Sequence, residues 1–147
     1  MLVIAVDTPV KPVDAVDAYF ATDNRAAGQL VGRYARVKAQ QLDLVPKIAM
    51  LDLAPGISSG EARHTGFLDG FGIDRDDPAI VATADTEGDR ILAEARMGEI
   101  LAEHPDVNIV YTVNEPAALG VEMDWGNPAK LPSVISHPWQ QVEDAVV

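Results

Sequence analysis

Asp7, Arg63 and Asn114 carry the side chains best suited to holding a ligand. A carboxylate accepts hydrogen bonds, an amide both donates and accepts, and a guanidinium presents a planar fork of donors. Bidentate contacts from such groups to adjacent hydroxyls fix the stereochemistry of a ligand without any reaction. Neutral sugars fit that description. Each residue also has a plainer use: Asp7 as a turn residue, Arg63 as a helix-surface charge, Asn114 as a helix cap. A different chemistry would rest on His64 with Asp52 or Asp85, the acid–base pair of a small α/β enzyme. His104 and His137 are scattered away from it.

The remaining composition narrows the class of function. Gly56-Ile57-Ser58-Ser59-Gly60 is glycine-rich ahead of a helix, but the lysine of a phosphate-binding loop is absent. No H-x-x-x-H pair or aspartate-rich loop is present, so neither a metal nor a cofactor is expected. With no cysteine in the chain, disulfides and thiolate sites are excluded, while either redox compartment suits it. A net charge of −12 repels a phosphate backbone and an anionic membrane surface alike. No nucleic-acid partner is expected, and no direct membrane insertion, since no apolar run approaches roughly 18 residues. Binding without catalysis is the class these residues fit best.

The elements that must position those side chains alternate between strand and helix. Leu2–Val6 is a continuous apolar run, as expected of a strand covered on both faces. Val16–Ala21 is a second candidate strand, and Thr22 and Asp23 stand as caps before a helix over residues 24–42. Its apolar stripe runs through Ala27, Leu30, Val31, Tyr34 and Ala35, with Gly28 and Gly32 placed for close packing on a sheet. Strands follow over residues 47–53, 79–84 and 107–113. Helices follow over residues 59–71, with Ser58 and Glu61 at capping-box spacing, and 87–103, with Ile91, Leu92, Ala95 and Ile100 inward. A last helix begins at Pro116, since proline suits the first helical position. This rhythm predicts an α/β fold, a parallel sheet with helices on both faces. Asp7, Asp52, Asp85 and Asn114 then sit at strand carboxyl ends, where ligands bind in open α/β sheets.

Several segments carry a resemblance to a known family. They are Val6-Asp7-Thr8, Ala21-Thr22-Asp23-Asn24-Arg25-Ala26-Ala27-Gly28, Gly60-Glu61-Ala62-Arg63-His64-Thr65-Gly66-Phe67, His104-Pro105-Asp106-Val107 and Tyr111 to Gly120. In this order the sequence resembles the periplasmic sugar-binding proteins of ribose-binding type, the solute receptors of ABC importers. Met50-Leu51-Asp52-Leu53 and Asn114-Glu115-Pro116 are most similar to the fructose-binding branch. The resemblance implies two α/β lobes closing on a monosaccharide, of which residues 1–147 would supply a single domain, mostly the C-terminal lobe. It implies a fragment lacking the first lobe, a periplasmic location and an ABC membrane permease as partner. It also assigns sugar contacts to Asp7, Arg63 and Asn114, and none to His64. Thr8 stands where the ribose-binding pattern has arginine, which speaks against ribose itself. Residues 122–147 depart from the pattern, with a short strand expected at Ser133–Ser136 and a short helix at Trp139–Val146. The rival of the same fold is the sugar-sensing domain of a LacI-like regulator.

Overall fold

The computed structural model describes residues 1–7 and 10–125, with side chains as far as residue 122. Thr8 and the expected elements at Ser133–Ser136 and Trp139–Val146 lie outside the described residues. The central sheet holds β3 (Ile48–Asp52), β4 (Ile80–Asp85) and β5 (Ile109–Thr112), all parallel, in the order β4-β3-β5. Helix α1 (Asn24–Gln41) precedes β3, α2 (Ser58–Phe71) joins β3 to β4, and α3 (Arg90–Glu103) joins β4 to β5. Helix α4 (Glu115–Trp125) follows β5.

Alternation along the middle strand builds two cores. Ile48 and Met50 face a cluster with Phe67, Phe71, Ile109 and Tyr111, while Ala49 and Leu51 face Ala93, Met97, Val110 and Ala117. Successive side chains of a strand point to opposite faces, so a strand covered twice must be apolar throughout. The Phe67 and Tyr111 rings meet at 4.5 Å between centroids, tying α2 to β5.

Helices α1 and α2 cover one face together, and they approach through glycine. A Cβ on Gly28 would overlap the Arg63 carbonyl, and one on Gly32 the Phe67 carbonyl. Reciprocally, a Cβ on Gly66 would overlap the Arg25 carbonyl, and one on Gly70 that of Gln29. Thus Gly28 and Gly32 pack on α2, not on the sheet. The buried stripe of α1 is Asn24, Gly28, Gly32, Ala35 and Ala39, and Leu30 is left exposed. Periodicity ranked positions by side-chain size, whereas here the smallest side chains mark the contact.

Other local expectations shift in the same way. On α3 the inward residues are Ala93, Met97 and Ile100, and Ile91 is exposed. Ser58 is the first residue of α2, not its cap; the Glu61 carboxylate reaches the Gly56 amide at 3.4 Å. The first strand, β1 (Ile4–Val6), is also not covered on both faces. It pairs in parallel with β2 (Ala18–Phe20) in a separate two-stranded sheet, with Ile4, Val6 and Phe20 exposed.

Candidate functional site

The carboxyl ends of β3, β4 and β5 lie side by side. Asp52 is in register with Asp85, and Leu51 with Thr112, so the turns that follow emerge along one edge. Asn114 leaves β5 there and caps α4: its Oδ1 accepts from the Ala117 amide at 3.1 Å. Pro116 is therefore the second helical residue, not the first. The other half of the amide donates from Nδ2 to the Gly88 carbonyl at 3.3 Å.

Arg63 reaches the same edge from α2. Its Nη1 donates to the Val113 carbonyl at 3.2 Å, the residue next to Asn114. Its Nε donates to Asn24 Oδ1 at 2.8 Å, and Asn24 is buried at the start of α1. Arg63 is half-buried, and those two bonds leave the rest of the guanidinium fork for other acceptors. Arg63 and Asn114 thus reach the same strand edge, the guanidinium through the Val113 carbonyl and the amide through the Gly88 carbonyl. Asp7 is not brought to them: it ends β1 on the other sheet, exposed, with φ 74 and with Tyr19 Oη donating to its carbonyl at 2.9 Å.

The strand-end aspartates are occupied within the fold. Asp85 Oδ1 accepts from the Glu87 amide at 2.8 Å, closing its own turn. Asp52 Oδ2 lies 2.8 Å from His64 Nδ1, and His64 is buried. His64 therefore pairs with Asp52 and not with Asp85. His64 Nε2 and Asp52 Oδ1 have no hydrogen-bond partner among the described residues. Gly56 to Gly60 has G-x-S-x-G spacing, but β3 ends at Asp52, so Ser58 does not sit on a strand-to-helix elbow. At about 3.6 residues per turn, Ser58 and His64 do not share a helix face. The His64–Asp52 pair ties α2 to β3, and among the described residues no hydroxyl is hydrogen-bonded to its side chains. A cavity of about 200 Å³ is lined by Asp52, Leu53, Glu61, His64 and Asp85, apart from Arg63 and Asn114.

Tyr111, on β5, joins the electrostatics of this edge. Burial raises its phenol well above the ordinary value of 10.0, the Asp52 carboxylate adds to that, and Arg63 opposes it. Sequence reading missed Thr86, which is fully buried and carries β4 into its turn. Thr86 Oγ1 donates to the Asp52 carbonyl at 3.0 Å and accepts from the Gly88 amide at 3.3 Å. Gly88, with φ +72, is also unforeseen: a Cβ there would stand 2.5 Å from Asn114 Nδ2. A glycine in a polar turn one helix before Asn114 was the available signal, but only the fold shows what it approaches.

A profile described as the periplasmic binding protein domain matches residues 1–125. The chain belongs to this family. It is 29% identical over 122 residues to the ribose import binding protein of Bacillus subtilis (strain 168), covering 79% of this chain and 38% of that protein. It is 27% identical over 132 residues to the D-allose-binding periplasmic protein of Escherichia coli (strain K12), covering 90% of this chain and 42% of that one. Among solved structures, the periplasmic component of an ABC-type sugar transport system from Hahella chejuensis superposes with a TM-score of 0.70 at 33% identity. That match covers 85% of this chain and 46% of the other. This periplasmic binding protein domain therefore spans less than half the length of the relatives it matches. No helix among its described residues is long and apolar enough to cross a membrane.

Proposed function

We propose that this chain contributes half of a monosaccharide site, that of a non-catalytic solute receptor serving an ABC sugar importer in the periplasm. The observation that carries the reading is the convergence of Arg63 and Asn114 at the shared carboxyl edge of β3, β4 and β5. That edge is where open α/β sheets bind ligands. The unused donors of Arg63 and the amide of Asn114 suit adjacent hydroxyls of a ribose-, allose- or fructose-like sugar. Asp7 would complete the polar set by movement of the β1–β2 ribbon or on assembly with a first lobe. Relatives that import ribose or bind allose support the receptor reading over a LacI-like sensor. The partner in transport would be the membrane permease.

Calorimetric titration with D-fructose, D-ribose, D-allose and D-xylose tests this, on the chain alone and fused to a family first lobe. Binding of at least one sugar by the fusion is expected, with Arg63→Ala and Asn114→Ala each weakening it tenfold or more, at about 1.4 kcal/mol per decade. A folded fusion giving no heat with any sugar would overturn the reading.

A further inference from the structure

We infer that Asn24 is the positioning residue that fixes the Arg63 guanidinium at the ligand edge, a role resting on the sugar-site reading only for its use. Arg63 leaves α2 on a flexible side chain with many rotamers, yet it is pinned at two points. The Val113 carbonyl takes Nη1 at 3.2 Å, and Asn24 Oδ1 takes Nε at 2.8 Å. The carbonyl belongs to the residue that follows β5 and changes little with any side chain. Asn24 is the adjustable half of the clamp.

Its own position is set by the helix crossing. Asn24 begins α1, whose preceding turn is closed by Asp23, with Oδ1 accepting from the Ala26 amide at 2.9 Å. One turn further on, Gly28 seats α1 against the Arg63 carbonyl, so the backbone of α1 and the base of Arg63 are in direct contact. Asn24 is only 9% exposed, which shelters the bond from competing water. An Nε donor held in this way fixes the plane of the guanidinium and leaves the Nη2 donors for a ligand. Without Asn24 the fork turns about its last torsions and must be ordered again at each binding event.

The test reads Arg63 directly and sugar binding separately. In ¹⁵N-resolved spectra of the full chain, the Arg63 Nε–H is expected as a slowly exchanging signal, lost in Asn24→Ala and retained in Asn24→Asp, which keeps the acceptor. With D-fructose, or whichever sugar of the panel binds, Asn24→Ala weakens affinity about three- to tenfold and Asn24→Asp restores it, the cost of re-ordering one long side chain. In an Arg63→Ala background the same change is silent towards sugar, which a merely structural role would not produce. An Arg63 signal unchanged in a folded Asn24→Ala chain overturns the inference. So does an equal loss of affinity in both backgrounds. If the Arg63 signal changes as expected while no sugar binds the unsubstituted fusion, the sugar reading fails and the clamp stands.

Discussion

The amide of Asn114 serves the fold before it can serve a ligand. Its oxygen caps α4 and its nitrogen holds the Gly88 carbonyl, so what is left for a ligand is the remaining N–H and lone pair. Asn114→Ala should therefore lower stability by about 1 kcal/mol through the lost cap, read by urea denaturation, besides its effect on binding. Gly88→Ala should cost more, about 1–3 kcal/mol, because a Cβ there meets Asn114 Nδ2 and Leu53 in a backbone at φ +72. Tyr111 supplies the pH dependence. Its folded-state value lies above the ordinary 10.0, so the stabilisation is whole below about pH 10 and is lost as the pH rises towards the folded value. Tyr111→Phe should show a shallower loss of stability above pH 10 than the unsubstituted chain.

At the scale of elements, the pairing of α1 with α2 decides how Arg63 is presented. Gly28, Gly32, Gly66 and Gly70 let two backbones touch, and the exposed Arg25–Asp69 pair closes the rim at 2.7 Å. Gly32→Ala must push the helices apart and is expected to cost about 1–3 kcal/mol. Leu30→Ala, on the face that sequence periodicity favoured, should change stability by less than about 0.5 kcal/mol. Hydrogen bonds from Arg25 and then Gln29 hold the Asp69 carboxyl below its ordinary value of 3.8. The small stabilisation this gives is present above that pH and is lost as the pH falls through the lowered value. An NMR titration of Asp69 should place its midpoint below 3.8 and move it upwards in Arg25→Ala.

For the whole molecule, the contrast between its two sheets is the main feature. In the three-stranded sheet β3 and β5 are buried on both faces and β4 is partly covered, whereas Ile4, Val6, Tyr19 and Phe20 on the β1–β2 ribbon remain exposed. Apolar surface of that kind is what a first lobe would cover in the proposed receptor. Replacing Val6 and Phe20 by threonine should reduce binding of a hydrophobic dye while moving the urea midpoint little, since neither side chain is packed in a core. A large drop in stability would instead mean that the ribbon supports the fold.

The order of strands and helices, the doubly covered sheet and the run from β5 into Asn114 were legible in the sequence because they depend on local apolar period, caps and turn residues. The place of Asn114 in the turn after a strand follows from that order, whereas Arg63 is singled out in the sequence by its donor chemistry and by the family resemblance. The glycine crossing, the burial of His64 against Asp52 and the hold of Asn24 on Arg63 were not. Each joins residues distant in the chain, and their residue types look the same whether or not they meet. Nor could an apolar pattern distinguish the buried β3 from the exposed β1, because alternation and hydropathy describe what a strand can bury. What it does bury depends on which elements the rest of the chain brings to its faces, and only the tertiary structure decides that.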